Sequence, residues 1–166
     1  ADARLQAGLD AVFFASSNTR SFADEASRAA FRQRWLGRYL QHDPRWAYVA
    51  MSADGTVAGY LAGSIDDPAI APRFSDLAYF SDFAHLTLRY PAQLHVNLAE
   101  DYRGHGIGGR LIEAFVTDLG AAGIGGVHAV TSAGARNIGF YERQGFRQLG
   151  SSGSGAREIV FLGRDV

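Results

Sequence analysis

The chain has 166 residues, 47% of them hydrophobic, and a formal net charge of -1, which predicts one globular domain over residues 1–166 with its own core. The near-neutral charge argues against nucleic-acid binding, and the absence of cysteine excludes disulfides, thiolate metal sites and a cysteine nucleophile. All 16 basic residues are arginine, which also excludes a lysine Schiff base. We expect a cytoplasmic protein that binds no metal and no membrane, since no apolar run approaches the roughly 20 residues that cross a bilayer.

The N-terminal part of the chain predicts two helices followed by a hairpin. Apolar residues recur at helical spacing from Leu5 to Phe13, and the segment DEASRAAFRQRWLGRYL, residues 24–40, has its apolar side chains on one helical face. Residues 46–65 alternate small and large apolar residues around Asp54-Gly55, a pattern typical of a β-hairpin. The aromatic stretch FSDLAYFSDF, residues 74–83, predicts a short helix.

The C-terminal part alternates strands and helices. QLHVNLA, residues 93–99, predicts a strand that leads into a glycine-rich stretch, and an apolar stripe from Ile107 to Leu119 predicts the helix that follows. Further on, the pattern predicts a strand over GVHAVTS, a short helix over ARNIGFYERQ, and two last strands over FRQLG and REIVFLG.

The glycine-rich stretch is YRGHGIGGRL, residues 102–111. Its density of glycine indicates a backbone that a ligand approaches closely, and the order strand, loop, helix is typical of phosphate binding at a helix N-terminus. A P-loop is excluded because the chain has no lysine. Gly104, Gly106 and Gly109 satisfy the dinucleotide pattern G-x-G-x-x-G, so a dinucleotide-dependent enzyme stays an alternative, although the expected acidic residue about 20 positions on is missing.

Two segments resemble motifs of the GNAT superfamily of N-acetyltransferases. Arg103, Gly106 and Gly108 match Q/R-x-x-G-x-G/A, which resembles motif A, and SAGARNIGFYERQGF resembles motif B, with Tyr141 followed by a Gly-Phe pair. The resemblance covers residues 92–149. It implies an α/β fold with a twisted, mostly antiparallel mixed sheet that is splayed between its fourth and fifth strands and flanked by helices.

The resemblance also implies acetyl-CoA as cofactor, with its pyrophosphate on the glycine loop and its pantetheine arm along the preceding strand. An amide near Leu98 would then polarise the thioester carbonyl, and Tyr141 would protonate the leaving thiolate as the catalytic residue. The residues implied in cofactor binding are Val96, Asn97, Leu98, Arg103, Gly104, His105, Gly106, Ile107, Gly108, Gly109, Arg110 and Asn137.

The implied reaction is direct transfer of acetyl to a primary amine in a ternary complex, the acceptor being a small molecule or a peptide lysine or N-terminus. Four side chains are candidates for acceptor binding: Asp82, His85, His95 and His128. The sequence departs from the family at Gly134, where an Asn is common, and at Ala129, where some members carry a Glu base. These departures keep a non-catalytic CoA-binding or interaction module open as an alternative. For either function we expect a monomer or a homodimer.

A narrower likeness concerns the segment RYPAQLHVNLAEDYRGHGIGGRLIE together with GFYERQGF. It is similar to the acetyltransferase-like domain of O-GlcNAcases and to the free-standing bacterial relatives of that domain.

Overall fold

The computed structural model describes residues 2–166 and contains six strands that form one mixed sheet. The helices are α1 (Ala3–Ser16), α2 (Glu25–Arg32), α3 (Arg38–His42), α4 (Ala84–Thr87), α5 (Ile107–Ala121) and α6 (Asn137–Arg143). The strands are β1 (Ala47–Met51), β2 (Val57–Ser64), β3 (Ala92–Leu98), β4 (Gly126–Ser132), β5 (Arg147–Ser152) and β6 (Ile159–Asp165), hydrogen-bonded in the order β1-β2-β3-β4-β6-β5. This mixed sheet with interspersed helices confirms the predicted fold class.

The chain divides into two compact units, and the first comprises the residues up to Gly63 together with His95–Phe115. Its second helix begins where the Asp24 carboxylate accepts the Ser27 N–H at 2.7 Å, and a π-helical turn at Gln33–Gly37 joins α2 to α3. The predicted hairpin is present, because β1 and β2 pair antiparallel around a turn in which Gly55 has φ 83°.

The second unit comprises Ser64–Leu94 and Val116–Val166. Its strand β6 pairs antiparallel with both β4 and β5. The parallel register between β3 and β4 joins Ala92 to Val127 and Gln93 to His128. That the two units behave as one domain stays a prediction.

The short helix predicted over the aromatic segment 74–83 is present as a 3₁₀ helix, Ala78–Ser81. Another 3₁₀ turn, Pro72–Phe74, precedes it, and the single α-helical turn α4 follows it. The N–H of Leu77, Phe80 and Phe83 each donates to the carbonyl three residues earlier. The buried side chains of this segment recur every third residue, which is the 3₁₀ period rather than the α-helical one; they are Phe74, Leu77, Phe80 and Phe83.

Within residues 2–166, no helix is both long enough and apolar enough to span a membrane.

Candidate functional site

The glycine loop ends in the N-terminus of α5, and two of its glycines are required by the backbone. Gly104 has φ 79° and Gly106 has φ 74°, conformations that side-chain-bearing residues rarely adopt. A Cβ built on either residue would meet no atom within 4 Å, so the space above both glycines is open.

The other two glycines lie in the first turn of α5, where backbone conformation does not require them. Gly108 and Gly109 have no positive φ, and glycine inside a helix costs about 1 kcal/mol relative to alanine. Gly108 is buried and Gly109 is partly buried, so close packing within the protein or close approach by a ligand would explain why glycine stands at these positions.

The backbone N–H groups of this stretch are available to an anion. Among the hydrogen bonds of residues 2–166, none is donated by an N–H group from Gly104 to Gly109. The first turn of a helix has no internal acceptor for its N–H groups, and the helix dipole adds partial positive charge there. An anion the size of a phosphate can therefore be bound by several amides at once.

The ionisable side chains around the loop include both basic and acidic residues. The Arg103 amide is not free, because it donates to the Glu100 carbonyl at 3.1 Å, while its Nε donates to the Leu98 carbonyl at 3.2 Å. Arg103 therefore ties the loop to the end of β3. The side chains of His105 and Arg110 are exposed, as are those of the preceding Glu100 and Asp101.

The end of β3 carries the three predicted cofactor residues Val96, Asn97 and Leu98, all partly buried. The Asn97 Nδ2 donates to the Tyr60 hydroxyl at 2.8 Å, so this side-chain amide is used inside the protein. Tyr60 is buried, and burial raises the pKa of its phenol, although the hydrogen bond from Asn97 acts in the opposite direction.

Gly59 of β2 shapes this end of β3, and sequence reasoning did not single it out. A Cβ at Gly59 would lie 2.2 Å from the Leu98 Cδ2 and 2.7 Å from the Asn97 carbonyl oxygen. The signal was present, since glycine inside a strand often marks a close backbone approach.

Gly59→Ala should therefore destabilise the protein by about 1–3 kcal/mol, the usual cost of overpacking, because β3 backbone must move to admit the methyl group. Thermal unfolding measures this loss. Gly125→Ala is the matched control, since a Cβ there meets no atom within 4 Å and its φ is not positive, and its midpoint should stay close to wild type. Equal midpoints for the two variants would contradict the close approach.

His95, one of the four predicted acceptor-binding residues, lies on β3 with its ring held by neighbours from α3 and the π-helical turn. Its Nε2 is 3.0 Å from the Tyr39 hydroxyl, and its ring meets those of Tyr39 and Trp35 edge-on, with centroids 5.1 and 5.9 Å apart. Burial, and secondly the charge of Arg38, lowers the pKa of His95 to about 4, so the imidazole is neutral at pH 7.

Tyr141, the predicted catalytic residue, lies on α6 in the second unit and is 6% exposed. Its ring packs edge-on against Phe140 and Phe146, and its hydroxyl makes no hydrogen bond to any of residues 2–166. Burial raises the pKa of this phenol, which keeps the proton on the oxygen at neutral pH.

Two further predicted residues of the second unit, Asn137 and Asp82, have partners within it. The Asn137 Oδ1 accepts the Thr131 hydroxyl at 3.0 Å. Asp82 accepts a hydrogen bond from Ser152, and the nearby His85 is exposed.

His128 is 1% exposed, stacks on Phe161 at 4.6 Å, and its Nδ1 lies 2.6 Å from the Tyr90 carbonyl. This burial favours a structural role for His128. Its binding role, like those of the other predicted site residues, stays a prediction.

The described part of the chain, residues 2–166, contains no cluster of three or more His, Asp or Glu side chains that could hold a metal ion.

Solved structures share this fold over nearly the whole chain. The crystal structure of SsHAT superposes with a TM-score of 0.74 at 23% identity, covering 99% of this chain and 95% of the other. A ribosomal-protein-alanine N-acetyltransferase from Brucella melitensis gives a TM-score of 0.65 at 22% identity, covering 100% and 96%. A phosphinothricin acetyltransferase from Sinorhizobium meliloti, in complex with AcCoA, gives 0.65 at 18%, covering 99% and 84%.

These identities are too low to transfer a substrate, and they show the fold alone. The sequence itself carries the family, because residues 11–146 match the model of the Acetyltransferase (GNAT) family. This chain therefore belongs to the GNAT family of acetyltransferases.

Proposed function

We propose that this chain transfers acetyl directly from acetyl-CoA to a primary amine, with both substrates bound together. The observation that carries the proposal is the run of N–H groups from Gly104 to Gly109, which have no acceptor within residues 2–166, at the start of α5 where the space above Gly104 and Gly106 is open. GNAT acetyltransferases use acetyl-CoA, and this loop fits its pyrophosphate.

Several residues of the first unit would hold the cofactor. The loop amides bind phosphate oxygens, Arg103 adds a charge beside them, and the backbone of Val96–Leu98 pairs with the amide-rich pantetheine arm. Bound acetyl-CoA supplies a thioester whose carbonyl carbon is open to attack by an amine. An amide near Leu98 stabilises the charge that develops on the carbonyl oxygen.

Tyr141 of the second unit is the general acid in this proposal. A phenol keeps its proton at neutral pH, burial favours this protonated form further by raising the pKa of Tyr141, and the hydroxyl donates to no other residue among 2–166. Tyr141 gives the proton to the leaving sulfur and recovers one from water.

Arg103→Ala should weaken acetyl-CoA binding about tenfold, since a charge-assisted hydrogen bond to phosphate is lost. Raising the salt concentration should weaken wild-type binding, and this dependence should flatten in the variant because fewer charges remain to be screened. Calorimetry at several salt concentrations measures both. Arg4→Ala removes an exposed arginine from α1 and is the control. If Arg103→Ala changes neither the affinity nor its salt dependence, the Arg103 side chain does not contact phosphate, and the backbone N–H groups alone bind it.

The acceptor is a small amine or a peptide lysine or N-terminus in this proposal. The test is a screen of amines and peptides with acetyl-CoA, in which release of free thiol is matched against mass of the acetylated product. Thiol release that depends on the acceptor, with an equal yield of amide, supports direct transfer. Turnover with NAD in place of acetyl-CoA would contradict it.

The second candidate function is a non-catalytic module that binds CoA or a protein partner. It is favoured by Gly134, which stands in the place of a common cofactor-contacting Asn and has φ 73°, and by Ala129, which cannot act as a base. Firm acetyl-CoA binding without turnover of any acceptor would support this candidate instead.

We also propose a narrower kinship with the acetyltransferase-like domain of O-GlcNAcases. It is supported by the segment RYPAQLHVNLAEDYRGHGIGGRLIE, which contains β3 and the glycine loop. A sequence tree in which this chain groups with other GNAT branches would contradict it.

A further inference from the structure

His95 is held in one orientation by the first unit. The Tyr39 hydroxyl lies 3.0 Å from its Nε2, and the rings of Tyr39 and Trp35 meet the imidazole edge-on. Tyr39 itself is fully buried, so it is a rigid support rather than a surface contact. The contact joins α3 to β3 across 56 positions of sequence.

The other ring nitrogen of His95 has no partner in the protein. No hydrogen bond from residues 2–166 reaches Nδ1, and Nδ1 is not among the fully buried nitrogen and oxygen atoms that lack a partner. Although most of the ring is enclosed, Nδ1 therefore keeps some exposed surface. The imidazole therefore has one nitrogen anchored in the protein and one available to a ligand.

The proposed reaction needs a proton acceptor for the attacking amine. A primary amine that attacks a carbonyl carbon must lose a proton, and Ala129 supplies no base. His95 directly precedes the segment Val96–Leu98, on which the pantetheine arm is proposed to lie. Among the seven residues of β3, His95 alone has an ionisable side chain.

We propose that His95 is the catalytic residue that takes the proton of the acceptor amine at Nδ1, with Tyr39 and Trp35 as the residues that position its ring. The inference rests on the proposed acetyl transfer. The nitrogen–carbon bond forms and the carbon–sulfur bond breaks. One amine proton passes to Nδ1 and then to water, while the leaving sulfur gains one proton, so that amine and thioester become amide and thiol.

The tautomer follows from this role. Nδ1 can accept a proton only if it carries a lone pair, so Nε2 must carry the hydrogen and donate it to the Tyr39 oxygen. The charged and titratable groups that face the ring are Arg38 and Tyr39 from α3, while Arg34 of the π-helical turn lies over Trp35 at 5.4 Å.

Both burial and the Arg38 charge oppose a lasting imidazolium, because they lower the pKa of His95 to about 4. Such a ring is a weak base, yet the amine nitrogen becomes strongly acidic as its bond to carbon forms, so a weak base suffices at that moment. The same low pKa returns the proton quickly to water and restores the neutral ring.

The first test reads the tautomer without any substrate. Nitrogen-15 NMR of histidine-labelled protein, with the His95 signals identified by their loss in His95→Gln, should show a neutral ring with hydrogen on Nε2 from pH 5 to 9. Tyr39→Phe should shift the Nε2 resonance and admit the other tautomer. A hydrogen on Nδ1 in the wild-type protein, or a charged ring at pH 7, would overturn the proposal.

The second test uses acetyl-CoA and the best amine from the screen. His95→Gln should lower kcat by about 10²-fold or more, as is usual for a positioned base, while the acetyl-CoA Kd changes less than about twofold. His42→Gln, on the exposed side of α3, should behave as wild type. Imidazole added to His95→Ala should restore turnover, and pyrazole, a ring of the same size that is a far weaker base, should not.

The outcomes separate this proposal from the proposed function. Loss of acetyl-CoA binding in the wild-type protein sinks both. Wild-type turnover that persists in His95→Gln, or equal rescue by imidazole and pyrazole, rejects His95 as the base and leaves acetyl transfer standing. Where acetyl-CoA binds and no amine reacts, both acetyl transfer and the role of His95 as its base are rejected in favour of the non-catalytic module.

Discussion

We expect Gly106→Glu combined with Gly108→Glu to weaken acetyl-CoA binding by about 100-fold or more, because like charges brought together cost several kcal/mol and each 1.4 kcal/mol is a factor of ten. A side chain at position 106 would extend into open space above the loop, since no protein atom lies within 4 Å of a Cβ built there. Isothermal calorimetry of the purified variant measures the loss.

The positive φ of Gly106 requires a control, because any side chain there strains the backbone. Gly55→Glu provides it: Gly55 has φ 83° and open space around its Cβ, but lies in the β1–β2 turn. Both variants should lose stability, and only the loop variant should lose acetyl-CoA binding. Undiminished binding in the loop variant would reject the glycine loop as the phosphate site.

Local patterns predicted the parts of the fold that local interactions stabilise. Asp24 caps its own helix, and Asp54-Gly55 forms the turn of its own hairpin, so both were visible in short stretches of sequence. The glycine loop was visible for the same reason. The short helix predicted over segment 74–83 is a 3₁₀ helix, and this type was visible too, since the buried apolar residues recur every third position.

Long-range contacts could not be predicted in this way. Tyr39 and His95 are brought together by the packing of α3 on β3, and Gly59 matters because β3 lies against it. Each local stretch looks ordinary. The Asn97 side chain looked equally free to face a cofactor, but its amide donates to Tyr60, a partner chosen by tertiary packing.

Tyr141→Phe should lower kcat by about 10²-fold or more while acetyl-CoA affinity changes little, because positioned acids typically contribute about 10²–10⁴-fold. The variant removes one oxygen and keeps the ring that packs on Phe140 and Phe146. No hydrogen bond from residues 2–166 is lost with that oxygen, so the melting temperature should not fall. Steady-state and single-turnover kinetics with a reactive amine measure the effect.

The pH dependence distinguishes an acid from a packing residue. Burial raises the pKa of Tyr141, so its proton is retained above pH 10, and kcat should show no loss from this group between pH 7 and 10. Tyr90→Phe, which removes a hydroxyl from another buried tyrosine of the second unit, should leave kcat close to wild type. Equal kcat values for Tyr141→Phe and Tyr90→Phe, measured while chemistry limits the rate, would contradict the role of Tyr141 as the acid. Water would then protonate the leaving sulfur, and Tyr141 would serve only the core, where its ring packs edge-on against Phe146.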